Sequence, residues 1–205
     1  MGRSDQLRQS VARFQTIPEG EARDASWRMA DGGGAQVFRL RRVSYGFVAQ
    51  GVVHAEEDGA GYGLTVTLAM GRDWVLRMAR LSCTNGQELA LDHDGEGNWT
   101  LDGRPAPHLT GCIDIDIWPT PFTNTLPVLR LPWRKGESRE FTMAYVKAPD
   151  LQVYPDRQRY TSLGGNQFRF EAVDGDFAAD IDFDGHGLVT DYPPLFFRVQ
   201  GPENQ

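Results

Sequence analysis

Gly111-Cys112-Ile113-Asp114-Ile115-Asp116-Ile117-Trp118-Pro119-Thr120-Pro121-Phe122-Thr123-Asn124-Thr125-Leu126-Pro127 says most about how this chain folds. Its first half alternates isoleucine with small or acidic residues, the two-residue period of a strand with two unlike faces. Its second half is rich in proline and hydroxyl residues, so the strand must stop and the chain must turn. Asp114 and Asp116 therefore share one strand face beside a polar, tightly shaped loop, which makes this stretch the first candidate for a ligand site. Thr120 before Pro121 suits a helix N-cap followed by proline at the first helical position, which would place Asn124 in a one-turn helix.

Outward from this stretch the same period recurs. Arg139 to Lys147 puts Phe141, Met143 and Tyr145 on one face, and Gln167 to Ala172 sets Phe168 and Phe170 against Gln167, Arg169 and Glu171. From Asp176 to Asp184, Phe177, Ala179, Ile181 and Phe183 alternate with residues that are mostly aspartate. Strands with one apolar and one acidic face are half solvated, which favours an antiparallel sheet. Asn85-Gly86 reads as a two-residue hairpin turn, and Asp58-Gly59, Asp94-Gly95, Asp102-Gly103, Asp174-Gly175 and Asp184-Gly185 repeat the signal at intervals suited to short connected strands. Leu7, Val11 and Phe14 carry a helical period, so residues 5–15 form either a short amphipathic helix or a frayed arm.

The 205 residues are 40% hydrophobic and 24% charged, a mix ordinary for one globular domain. A formal net charge of −7 argues against a nucleic-acid partner and against docking on anionic lipid headgroups. Met1 to Gln15 lacks the apolar core of a signal peptide, and no run approaches the roughly 18 apolar residues that span a bilayer. The expected location is therefore cytoplasmic, with Cys83 and Cys112 reduced and buried.

Asp114 and Asp116 lie about 6.5–7 Å apart along one strand face, overlapping the carboxyl separation of inverting glycosidases. Catalytic carboxylates flank their substrate from opposite sides, however, and two neighbours on one strand do not. The acidic hairpins at 92–97 and 182–187 lack the closing glutamate of a calcium loop, since the twelfth position from Asp182 is Pro193. The four histidines, His54, His93, His108 and His186, show no zinc-type spacing. Neither a metal nor a cofactor is expected. Arg159 and Tyr160 point to opposite faces of one strand, and tyrosines such as Tyr160 and Tyr192 suit a cavity wall with one wet end.

The blocks Gly111–Ile117, Thr120–Leu131, Gln158–Leu163 and Gly187–Val199, with weaker ones at Asp73-Trp74 and Trp99–Gly103, resemble the bacterial family called putative glycolipid-binding. The likeness covers roughly residues 25–199, leaving 1–24 as an arm or short helix and 200–205 as a tail. It implies an all-β, single-domain, antiparallel and strongly curved sheet, an incomplete barrel with at most one or two short helices, akin to periplasmic lipoprotein carriers. The concave side would hold an apolar ligand.

The expectation is thus a non-catalytic binding protein, monomeric or homodimeric, for a hydrophobic or glycolipid-like small molecule. Asp114, Asp116, Asn124, Arg159, Tyr160, Asp191 and Tyr192 would form the polar rim that orients a headgroup. The alternatives are a protein–protein interaction module, marked by an exposed apolar patch, and a glycoconjugate hydrolase acting through Asp114 or Asp116.

Overall fold

A computed structural model describes residues 14–199 of the chain, so the helix considered over 5–15 lies almost entirely outside the described residues. Fifteen strands form one sheet that does not close into a barrel. From the middle of the sheet, β1 (Ala22–Met29), β2 (Ala35–Val43), β3 (Gly46–Glu57), β4 (Ala60–Gly71), β5 (Leu76–Cys83), β6 (Glu88–His93), β7 (Trp99–Leu101) and β8 (Arg104–Pro105) meander to one edge. The chain then passes to the opposite edge, where β9 (Asp114–Trp118) lies. From there β10 (Ser138–Lys147), β11 (Gln152–Gly164), β12 (Gln167–Ala172), β13 (Ala178–Phe183), β14 (Val189–Tyr192) and β15 (Phe196–Arg198) meander back, and β15 pairs with β1.

Every pairing is antiparallel except that of β9 with β10. A parallel pair needs a crossover of a dozen or more residues. Here it is supplied by residues 119–137, which contain a 3₁₀ turn (Pro121–Asn124) running into α1 (Thr125–Arg130). The proline-rich half of the diagnostic stretch is therefore the crossover. Thr120 caps it as expected, its hydroxyl accepting from the Phe122 amide at 3.2 Å, with Pro121 opening the turn.

The alternation read in the sequence is realised in β12 and β13 but not in β10, where Met143, Ala144 and Val146 are all buried and Phe141 and Tyr145 only half-buried, because both faces of that strand are covered. In β13 Ala179, Ile181 and Phe183 are buried while Asp180 and Asp182 are part-exposed, and in β12 Phe168 and Phe170 are buried. Two of the Asp-Gly pairs make two-residue hairpin turns with both residues at positive φ: Asp58 (52°) and Gly59 (77°), and Asp102 (48°) and Gly103 (74°). Asn85-Gly86 differs. The β5–β6 loop spans residues 84–87, and only Gly86 has positive φ (90°). Asn85 instead ties the loop with its side chain, accepting from Gln87 N at 2.9 Å and donating to the Pro149 carbonyl at 3.1 Å. A side chain that can bond its own backbone two residues on gives the turn another solution.

The crossover lies against the sheet's buried face and fills much of it. All residues from Pro121 to Val128 are buried. Phe122 stacks on Phe38 of β2 with centroids 4.8 Å apart and planes 5° from parallel, and Phe38 meets Trp27 edge-on at 6.1 Å. Gly51 of β3 leaves room for the Phe38 ring, since a Cβ there would sit 2.4 Å from it. Beyond α1, Trp133 packs edge-on against Phe168 at 5.2 Å. Gln36 of β2 donates to the Pro119 carbonyl at 3.1 Å, fixing the start of the crossover. Burying a ring the size of Phe122 stabilises by about 1.5–3 kcal/mol, so this segment is held chiefly by its aromatics. Cys83 and Cys112 are free and buried, and burial pushes the Cys112 thiol up to about 11. No helix among the described residues is long and apolar enough to cross a membrane.

Candidate functional site

A cleft of about 430 Å³ remains where β9 to β12 meet the crossover and β14–β15. One side is aromatic. Trp118 faces Phe196 at 5.9 Å, Tyr192 contacts Phe196 at 6.0 Å and Phe170 at 6.1 Å, and Phe177 stands 5.9 Å from Phe170. A second aromatic pair, Tyr145 with Tyr154 at 5.2 Å, comes from the β10–β11 register, in which these two residues are opposite.

The floor is polar. Asp116 Oδ1 accepts from the Thr123 hydroxyl at 2.7 Å and Oδ2 accepts from Gln158 Nε2 at 2.8 Å. The same Gln158 nitrogen donates to Asp156 Oδ2 at 3.0 Å, so one carboxamide bridges two carboxylates. Gln158 is 1% exposed and lines the cleft, and its Oε1 has no hydrogen-bond partner among the described residues. The Thr123 hydroxyl in turn accepts from Ile117 N at 3.2 Å, so the crossover and β9 are tied at the point where Asp116 faces the cleft. Asp116 keeps part of its surface on the cleft, yet its carboxyl lies deep enough that burial raises its pKa, against the pull of Thr123 and Gln158. Burial likewise raises the Tyr192 and Tyr145 hydroxyls, leaving both neutral at physiological pH.

The seven expected rim residues divide. Asp116, Asn124 and Tyr192 line the cleft. Tyr160 lies behind the wall, 1% exposed, its hydroxyl donating to Asn124 Oδ1 at 2.7 Å while Asn124 Nδ2 donates to the Pro121 carbonyl at 3.2 Å. Asp114 is clamped elsewhere. Arg130 at the end of α1 grips it with Nε at 3.0 Å and Nη2 at 2.7 Å, and Asp114 is 1% exposed. Burial raises the Asp114 carboxyl and Arg130 opposes that shift. Arg159 sits on the outer face of the sheet, paired with Glu140 and within 3.9 Å of Glu171. Asp191 pairs with Asp182 and Phe197 across the sheet and does not line the cleft. Arg159–Tyr160 and Asp191–Tyr192 are adjacent pairs on strands, so one member of each had to face away.

Sequence reasoning missed Trp118, Tyr154, Asp156 and Gln158 as cleft residues. Gln158 and Asp156 share a face of β11 two residues apart, and Tyr160 continues it, so that face was accessible to the alternation. Its position against Asp116 depends on the β9–β10–β11 register, which no local pattern specifies. Among the described residues, no group of three or more His, Cys, Asp or Glu is placed to hold a metal ion.

The fold and cleft together define a class: an open, curved, antiparallel β-sheet whose crossover shapes a small aromatic-walled pocket. A family model described as "Putative glycolipid-binding" matches residues 24–198, and the chain belongs to that family. Among solved structures, a crystal structure of a DUF1089 family protein from Pseudomonas aeruginosa is similar at 33% identity and a TM-score of 0.72, over 91% of this chain and 95% of that one. No curated protein matches this chain.

Proposed function

We propose that this protein is a non-catalytic binding protein whose cleft holds the polar headgroup of a glycolipid-like ligand. The observation that carries the reading is the pairing of an aromatic wall (Trp118, Tyr192, Phe196) with a hydrogen-bonding floor (Asp116, Asp156, Gln158, Asn124) in one pocket. A sugar ring has apolar C–H faces that pack on aromatic side chains and hydroxyls that donate to carboxylates. A volume of about 430 Å³ lies at the low end of small-molecule sites, so it suits a headgroup, while any acyl chains would lie outside it. The buried crossover packs against the sheet through Phe122, on the side where a carrier would lay acyl chains.

Tyr160 acts in this reading as a positioning residue that fixes Asn124. Catalysis through Asp114 and Asp116 has little support from the geometry. Asp114 is committed to Arg130, and Asp116 accepts from two neutral donors.

Native mass spectrometry of the purified protein, followed by denaturing extraction and lipid analysis, tests the reading. An adduct that is lost on denaturation, contains a glycosyl headgroup and is absent from a W118A/Y192A variant supports it. A bare protein mass that stays unchanged after incubation with octyl glycosides, neutral and amino-bearing alike, overturns it.

A further inference from the structure

The polar side of the cleft has a one-sided electrostatic character. Its two acidic side chains are Asp116 and Asp156, and among the described residues no Lys, Arg or His lines it. The two are bridged by the single Nε2 of Gln158, which spends both of its N–H donors on them. What Gln158 turns to no partner is its acceptor, Oε1, although the residue is 99% withdrawn from solvent. A buried carboxamide oxygen without a donor is a costly arrangement, and one next to two carboxylates also adds negative potential to theirs. The remaining polar side chains, those of Thr120, Asn124, Tyr145, Tyr154 and Tyr192, carry no cation.

A neutral ligand that closed this cleft would strip water from two neighbouring carboxylates and supply no charge in return, which low-dielectric surroundings make expensive. An ammonium group reverses that balance. It carries three donors and no acceptor, which suits the two carboxylates Asp116 and Asp156 that line the cleft. Trp118, Tyr192 and Phe196 line the same cleft, and an aromatic ring attracts a cation held within about 6 Å of its face. A phosphate or sulfate headgroup, by contrast, meets two carboxylates and no counter-charge. The net charge of −7 also raises the local concentration of cationic solutes over anionic ones.

We propose that the cleft selects a headgroup bearing a protonated amine, such as an amino sugar on an apolar tail, over its neutral and anionic counterparts. The inference rests on the glycolipid-headgroup reading of the same cleft and adds the charge class of the ligand.

Isothermal titration at pH 6.5 and low salt with octyl glucosaminide, octyl N-acetylglucosaminide, octyl glucoside and octylamine tests it with one alkyl chain throughout. The expected result is that the glucosaminide binds at least tenfold more tightly than the two neutral glycosides, and that D156N and Q158L each reduce that ratio to less than threefold. Octylamine separates the two sources of the amine. Binding as tight as that of the glucosaminide would mean that the ammonium and tail suffice, and weaker binding would mean that the ring contributes. A ratio near one, with the neutral glycosides still bound in a Trp118-dependent way, overturns the amine preference and leaves the headgroup reading standing. No binding of any glycoside overturns both. Circular dichroism and thermal melts of each variant confirm that a lost preference is not a lost fold.

Discussion

Replacing Arg130 with methionine would leave the Asp114 carboxylate buried without its cation. The pair is bidentate, with contacts of 3.0 and 2.7 Å, and Asp114 is 1% exposed, so water cannot take over the role of the guanidinium. Breaking a buried pair by deleting one partner costs about 3–5 kcal/mol. Loss of the Arg130 guanidinium over the Phe141 ring, 5.6 Å from its centroid, adds up to about 1 kcal/mol. In a domain of this size about 3–5 kcal/mol lowers Tm by roughly 6–20 °C. Chemical denaturation of R130M against wild type, with the midpoint and slope read separately, measures the loss.

A D114L/R130M double variant removes both charges and should recover at least half of the deficit, because apolar replacement of a buried pair is often near neutral. The deficit should also depend on pH. Burial already raises the Asp114 carboxyl above its ordinary 3.8 with Arg130 present, and without it the folded-state value rises further. A carboxyl whose folded pKa is raised contributes stability that is present below its unfolded pKa and lost as pH rises through the folded value. R130M should therefore be closest to wild type near pH 4 and fall behind as pH increases toward 7. A loss below 1 kcal/mol at pH 7, or a double variant as unstable as the two single variants combined, would refute the account of this pair.

Other substitutions probe the crossover and the core. F122A should cost about 3–5 kcal/mol, read by urea denaturation, since it empties a fully buried site stacked on Phe38. T120A should cost about 1 kcal/mol through loss of the cap to Phe122, and T120S should restore most of it. Y160F removes the hydroxyl that donates to Asn124 and leaves a buried acceptor unpaired, for a loss of about 1–3 kcal/mol read by urea denaturation. At alkaline pH, Tyr62, raised by burial from 10.0 to about 12, should ionise late in a spectrophotometric titration; its stabilising effect is present below pH 10 and lost as pH climbs toward 12.

The strands were the most legible part of this chain, because one buried and one wet face imprint a period of two on β12 and β13; β10 escapes that rule, since Met143 and Ala144, neighbours on opposite faces, are both buried. The cap at Thr120 was readable for a similar reason, since proline after a hydroxyl residue has few uses other than starting a turn. The site was only half readable. Asp116, Asn124 and Tyr192 announce themselves as polar groups beside strand ends, whereas Asp156 and Gln158 gain meaning only when β11 is laid two strands away from β9. Asp114 shows the same limit from the other side. It shares a strand face with Asp116, but its partner, Arg130, is brought to it by the return of α1, a tertiary event that alternation does not encode.

The central claim, that the aromatic-walled cleft is where this protein holds its ligand, is tested most directly by mapping amide chemical-shift changes in ¹⁵N-labelled protein titrated with octyl glucosaminide. The account predicts saturable shifts confined to residues 116–124, 145, 154–158, 170–177 and 192–196, abolished by W118A/Y192A. Saturable shifts centred on the β2–β4 surface, or persisting undiminished in that variant, would contradict it.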